Sequence, residues 1–286
     1  MKVLVIGLGL IGGSMAIDLR STRKDVVLLG YDANEQHLDA ALSLGLIDQK
    51  AGLQDAASVD VVIVAIPVNV SLKVIPSVLD IVKDDTLVFD VGSTKANICK
   101  LISEHPNRRN FLAAHPIAGT EYSGPQAAIR GLYKGKTNIV CEVEKTAFKV
   151  QELAMDIFND LGMRIRYMEP KAHDRHIAYV SHLSHISSFM LGKTVIDKER
   201  NERDIFDMAG SGFESTVRLA KSSPAMWSPI FEQNKDNVIE TLEEYIVNLQ
   251  RFKQLMESND FEAIYREMED TNRIKEILEG ITIKSS

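Results

Sequence analysis

A turn near the amino terminus constrains this chain more than any other feature. Val3-Leu4-Val5-Ile6 reads as a buried strand and runs without a polar break into Gly7-Leu8-Gly9-Leu10-Ile11-Gly12-Gly13-Ser14. This is G-x-G-x-x-G at a strand-to-helix junction, with Met15, Ile17 and Leu19 continuing at helical spacing. A second apolar run, Val26-Val27-Leu28-Leu29-Gly30-Tyr31, ends in Asp32, roughly 20 residues beyond the third glycine, as in a βαβ unit that holds a dinucleotide. Gly7 serves the tight turn, Gly9 the approach of backbone to a pyrophosphate, and Gly12 the close packing of helix on strand. Around them Leu8, Leu10 and Ile11 bring backbone N–H groups to the phosphates at the positive end of the helix. Asp32 is positioned to accept hydrogen bonds from ribose hydroxyls and to repel a 2′-phosphate. No Arg or Lys in Ala33-Asn34-Glu35-Gln36 offsets that repulsion, so the expected cofactor is NAD rather than NADP.

The pattern then repeats. Val61-Val62-Ile63-Val64-Ala65-Ile66-Pro67, Leu87-Val88-Phe89-Asp90-Val91-Gly92 and Phe111-Leu112-Ala113-Ala114-His115 are near-continuous apolar runs, as in strands covered on both faces of a parallel sheet. Helical stretches alternate with them, and Thr137–Cys141 and Met163–Tyr167 extend the series. The expected fold is α/β, a Rossmann-type doubly wound sheet followed by an all-helical dimerisation domain. The boundaries are 1–170 for the dinucleotide-binding domain and 171–286 for the helical one, where only Ile281-Thr282-Ile283 reads as strand-like. Residues 257–286 are expected to hold one helix, around Phe261, Ile264, Tyr265 and Met268, and a tail. Val238, Ile239, Leu242, Tyr245, Ile246, Leu249, Phe252, Leu255 and Met256 recur at three- and four-residue steps. Such a long apolar stripe exceeds what a small helical lobe buries alone, so a homodimer through the C-terminal helices is expected, an intramolecular helix pair being the alternative.

Composition excludes several classes. With 286 residues the chain has room for two domains, and its net charge of −7 argues against nucleic-acid or anionic-membrane partners. Two cysteines, Cys99 and Cys141, make no disulfide framework and suit a reducing compartment. The first strand leaves no space for a secretory signal, and no apolar run is long enough to cross a bilayer, so the expected location is cytoplasmic.

Ligands of doubly wound sheets gather beyond the carboxyl ends of the strands. Ser93 and Thr94 follow one strand, and His115 ends another ahead of Pro116-Ile117-Ala118-Gly119-Thr120-Glu121. A histidine there can take a proton from a substrate hydroxyl as hydride leaves the same carbon, and Ser93 can orient its ring. The helical part opens with His173-Asp174-Arg175-His176 and Ser181-His182-Leu183-Ser184-His185. The spacing brings His182 and His185 onto one helix face, but no H-E-x-x-H or cysteine set accompanies them, so no metal is expected. They are assigned instead to hydrogen bonds with substrate in a cleft facing the cofactor. Arg218, between a Gly-rich loop and the lone Trp227, is the candidate for holding a carboxylate through two parallel hydrogen bonds.

Taken together these residues resemble the prephenate dehydrogenases of tyrosine biosynthesis and the similar arogenate and cyclohexadienyl dehydrogenases. The resemblance rests on Gly7-x-Gly9-x-x-Gly12, Asp90-Val91-Gly92-Ser93-Thr94-Lys95, His115 to Glu121, Ser181-His182-Leu183-Ser184-His185 and Thr216-Val217-Arg218 through Trp227, collinear over residues 1–256. It implies NAD-dependent oxidative decarboxylation of prephenate to 4-hydroxyphenylpyruvate and carbon dioxide. By the same resemblance His115 and Ser93 are catalytic, Ser93 also bordering the cofactor. Ser181, His182, His185 and Arg218 face the substrate, Thr120 and Glu121 support it or the closing of the site, and Trp227 lies near the pocket. Ser184 stands where some relatives have proline, and Gly210-Ser211-Gly212 where some have three glycines. Neither change removes a chemical group. No fused mutase or regulatory domain is expected, so feedback by tyrosine would act at the active site or through another subunit. The alternatives are an arogenate dehydrogenase, a β-hydroxyacid dehydrogenase, whose catalytic lysine would sit where this chain has histidines, and an NAD-binding sensor without turnover.

Overall fold

Both faces of the central strands are apolar, and their neighbours explain it. The computed structural model describes residues 1–200, 202 and 204–285, the side chains of 281–285 excepted. In chain order the first part comprises β1 (Lys2–Ile6), α1 (Leu10–Thr22), β2 (Val27–Tyr31), α2 (Glu35–Ser43), β3 (Gln49–Lys50), β4 (Val61–Val64) and α3 (Val68–Leu79). It continues with β5 (Leu87–Asp90), α4 (Ala96–Leu101), β6 (Phe111–Pro116), β7 (Thr137–Cys141), α5 (Phe148–Asp160) and β8 (Arg164–Tyr167). The strands form one sheet in the order β3-β2-β1-β4-β5-β6-β7-β8. Val3, Val5, Val61, Ile63, Leu87, Phe89, Leu112 and Ala114 point to the side of α1, α2 and α5. Their alternating neighbours Leu4, Ile6, Val62, Val64, Val88, Phe111 and Ala113 pack under α3 and α4. With helices on both faces, no strand position in the centre is left for a polar residue, hence the unbroken apolar runs.

The sequence of crossings reverses at β1, which pairs in parallel with β2 on one side and β4 on the other. The crevice beyond that reversal is where such sheets take ligands. One feature departs from the expected parallel series: β7 lies antiparallel to β6, and β8 then runs parallel to β7. The connection from Pro116 to Thr137 contains only a 3-10 turn, Pro125–Ala127, so no helix carries the chain back for a parallel crossover. That connection is sewn onto α1. Ile129 N–H donates to Ser14 Oγ at 2.9 Å, Gly131 N–H to Asp18 at 2.7 Å, and Tyr133 Oη to the Ile11 carbonyl at 2.6 Å.

Beyond the sheet the described chain is helical: α6 (Pro170–Ile177), a π turn (Ala178–His182), α7 (Leu183–Glu199), α8 (Ser211–Val217), α9 (Pro224–Gln233), α10 (Lys235–Glu257), α11 (Phe261–Thr271) and α12 (Ile274–Ser285). The strand-like reading of Ile281-Thr282-Ile283 is corrected here, because these residues belong to α12. The single helix expected after residue 256 is in fact two. Ile274, Ile277 and Leu278 at helical spacing carry the backbone through the β-branched trio, whose local preference is weak over three residues. On α10, Val238 and Thr241 are buried, whereas Ile239, Ile246, Leu249, Phe252 and Met256 are exposed. No described helix is long and apolar enough to cross a membrane.

Candidate active site

At the first turn the backbone is built for a tight approach. Gly7 has φ +94°, and a Cβ there would stand 2.3 Å from the Ala65 carbonyl oxygen at the end of β4. A Cβ on Gly12 would meet the Gly7 carbonyl at 2.0 Å, so helix α1 can sit this close to the turn only with glycine present. Gly9 has open space beside it, with only the Gly124 nitrogen near, at 3.9 Å. No side chain caps α1, and no acidic residue lies in its first turn. The helix therefore presents unsatisfied N–H groups and positive dipole to that open space, which fits a diphosphate. Asp32 is fixed at the rim, one oxygen accepting from Leu8 N–H at 2.9 Å and the other from Asn34 N–H at 2.9 Å, with His37 Nδ1 3.4 Å away.

A buried polar cluster occupies the carboxyl end of β6. His115 Nδ1 lies 2.8 Å from His173 Nε2, and His173 Nδ1 lies 2.8 Å from Asp174 Oδ1. Asp174 also accepts from the backbone N–H groups of Lys95 at 2.7 Å and Ala96 at 2.9 Å. Beneath His115 the ammonium of Lys95, wholly enclosed, pairs with Asp90 and donates to the Ala114 carbonyl at 2.7 Å. Burial pushes the His115 imidazole well below its ordinary range, and His173, Lys95 and His182 add to the shift. His115 Nε2 makes no hydrogen bond among the described residues and is not among the sealed, unpartnered atoms. It is the accessible nitrogen of a neutral ring, suited to accept a proton.

The helical part forms the opposite wall. Arg218 donates to Glu121 Oε2 at 3.1 Å, across from the β6–β7 connection, and stays half exposed. Thr120, exposed beside it, accepts from Tyr122 N–H at 3.2 Å. His185 donates through Nδ1 to the Ser181 carbonyl at 2.9 Å and stacks on Trp227, ring centroids 3.5 Å apart. Burial lowers the His185 pKa, and Arg218 pushes it the same way. Val68 of α3 packs with Trp227 and Ile230 of α9, joining sheet and helices.

Two expectations change. His182, assigned to substrate, is fully enclosed, edge-on to Trp227 and Phe231, with Nδ1 3.2 Å from the Asn234 amide. It supports the wall rather than reaching the cleft, because Trp227, Phe231 and Asn234 of the helical part close over its ring. Ser93, expected to orient the His115 ring, is half-buried and makes no hydrogen bond among the described residues, and that ring is held at Nδ1 by His173. Sequence reasoning named Asp90, Lys95, His173 and Asp174 within motifs without giving them a role in the site, and passed over Asn234. The local signals were that Asp90 and Lys95 bound the motif at the end of β5 and that His173-Asp174 lies in the first helix after the last strand. Among the described residues, no group of three or more His, Cys, Asp or Glu side chains could hold a metal ion.

Comparison with known proteins now bears on this geometry. Residues 15–167 match the family described as "Prephenate dehydrogenase, nucleotide-binding domain", and residues 169–270 the one described as "Prephenate dehydrogenase, dimerization domain". A prephenate dehydrogenase of Bacillus subtilis (strain 168) is 31% identical over 92% of this chain and 72% of its own length. A cyclohexadienyl dehydrogenase of Zymomonas mobilis is 28% identical over 96% of this chain and 94% of its own. The crystal structure of prephenate dehydrogenase from A. aeolicus, in complex with hydroxyphenyl propionate and NAD+, superposes with a TM-score of 0.89 at 32% identity, covering 97% of this chain and 98% of that one.

Proposed function

Because the chain belongs to the prephenate dehydrogenase family, we propose that it oxidises prephenate with NAD, yielding 4-hydroxyphenylpyruvate and carbon dioxide. The observation that carries this reading is the neutral, buried His115, whose free Nε2 lies at the crevice edge shared with the open glycine turn. The glycine turn and α1 hold the diphosphate, and Asp32 the adenosine ribose. When bound, NAD supplies the hydride acceptor. His115 Nε2 takes the proton of the ring hydroxyl as hydride leaves the carbon that bears it, and departure of the ring carboxylate completes an aromatic product. Arg218 fixes a substrate carboxylate, with His185 and Trp227 beside it. Ser93, Ser181, Thr120 and Glu121 border the same cleft, and His182 supports it from behind.

One observation favours a second substrate, arogenate. Glu121 sits against Arg218, and an amino-acid head group carries both a carboxylate for the arginine and an ammonium for the glutamate. The deciding experiment follows NADH at 340 nm with prephenate and arogenate side by side. Turnover of prephenate supports the first reading, and turnover of arogenate alone replaces it with the second. If neither reacts while NAD binds, the chain is a sensor of the cofactor.

The exposed apolar residues of α10 and α11, among them Leu249, Phe252 and Tyr265, support a homodimer built on the helical part, in keeping with the family's dimerization domain. Arg218, in the 3-10 turn before α9, and Trp227, on α9, belong to the same helical part as that contact.

A further inference from the structure

We propose that His173 and Asp174 are positioning residues that set the tautomer of His115 and receive the positive charge it acquires during turnover. The inference rests on the reading of His115 as the base.

Start at the far end of the chain of contacts. Asp174 Oδ1 and Oδ2 take backbone N–H groups from Lys95 and Ala96, so its oxygens serve as acceptors. Oδ1 also faces His173 Nδ1 at 2.8 Å, which requires the proton of that ring on Nδ1. A neutral His173 then presents a lone pair at Nε2, 2.8 Å from His115 Nδ1. His115 must donate there, and its own lone pair is left on Nε2, the nitrogen that opens on the crevice. No other assignment of neutral rings satisfies every contact. The backbone at the start of α4 thus dictates which nitrogen of His115 is basic.

The same chain handles the charge. As substrate gives its hydroxyl proton to His115 Nε2 and its hydride to NAD, an imidazolium forms in a pocket that already contains the Lys95 ammonium. Transfer of the Nδ1 proton from His115 to His173 Nε2 moves that charge one ring further, against the Asp174 carboxylate. Both protons and both electrons of the oxidised carbon are accounted for, and no extra reactant is needed. The titratable or charged groups facing the pair are Asp174 from α6, Lys95 and Asp90 from β5 and the turn after it, and His182 from the π turn. Asp90 is already engaged by Lys95 and Gly92 N–H, which leaves Asp174 as the carboxylate in contact with the relay.

Two measurements test this. The first compares the pH dependence of kcat and KM for the unsubstituted enzyme, His173→Gln and Asp174→Asn. Removing an outer partner of a working histidine should lower kcat about 10- to 100-fold, with KM for substrate and affinity for NAD little changed. The acid limb of kcat/KM should also move. A variant with near-normal kcat, or one whose loss leaves the limb in place, overturns the relay. An unsubstituted enzyme inactive on both prephenate and arogenate overturns the reaction assigned above instead. The second measurement needs no turnover. Two-bond ¹H–¹⁵N spectra of the labelled protein, assigned with His115→Asn and His173→Gln, should show both rings as Nδ1–H tautomers. His115 found with its proton on Nε2 overturns the proposal even if every variant folds poorly.

Discussion

The two halves of the site are built by different means. On the sheet side the functional groups end buried strands: Gly7 follows β1, Asp32 follows β2, and His115 lies within β6. Each is fixed by backbone contacts that the rest of the domain over-determines. On the helical side Arg218 is half exposed, lies in a short 3-10 turn and is held by one ion pair to Glu121, while much of the apolar surface of α10 faces outward. A rigid sheet edge suits a cofactor whose shape does not vary. A wall held by few contacts suits a substrate that must enter and leave, and the outward apolar face of α10 leaves room for the second protomer proposed above.

The contrast can be broken most decisively at His115. If the sheet half supplies both cofactor site and base independently, His115→Asn should cut kcat by about 10²–10⁴-fold while NAD affinity measured by calorimetry stays the same. Loss of NAD binding in that variant would mean the two functions are not separable. Next in size is Arg218→Ala. Loss of a charged hydrogen bond to a carboxylate is worth about 1.5–3 kcal/mol, so KM for prephenate should rise roughly 10- to 100-fold, again without effect on NAD. Unchanged KM would remove Arg218 from the substrate site.

The same division explains what could be read in advance. A strand covered on both faces must be apolar throughout, so β1, β4, β5 and β6 stood out, and a polar residue closing such a run, as His115 does, marked itself. The glycine turn was legible because steric demands admit no other residue at Gly12. The reversal at β7 was not, since nothing local in a strand states the direction of its partner. Nor were His173 and Lys95. His173 meets His115 across 58 residues, and a lysine enclosed with an aspartate looks in sequence like any surface lysine. His182 and His185 looked equivalent because they are three residues apart on a helix, whereas the partners that enclose His182 alone, Phe231 and Asn234, are about 50 residues away in sequence.

The proposed contact of the helical half with a second copy gives a sharper, smaller test. Phe252→Glu puts a charge into the exposed apolar face of α10, where burial against a second copy would carry a desolvation cost. The expected result is a protomer-sized species by light scattering, normal NAD affinity and a raised KM for prephenate. A variant that stays dimeric would move the interface elsewhere.

Acid should find the seam between the halves. Burial lowers His182 to about 4, against about 6.5 in an unfolded chain. Between those values the unfolded chain binds a proton that the folded one refuses, so stability rises with pH across this window. The contribution is present in full above about 6.5 and is lost as pH falls toward 4. His115 acts with the same sign, and both histidines lie where sheet and helices meet. Urea midpoints should therefore fall on acidification through this window, and His182→Gln should flatten the slope without abolishing it, because His115 remains. A slope unchanged by that substitution would mean that His182 takes up its proton in the folded protein as readily as in the unfolded chain, and that the wall beside Trp227 admits water.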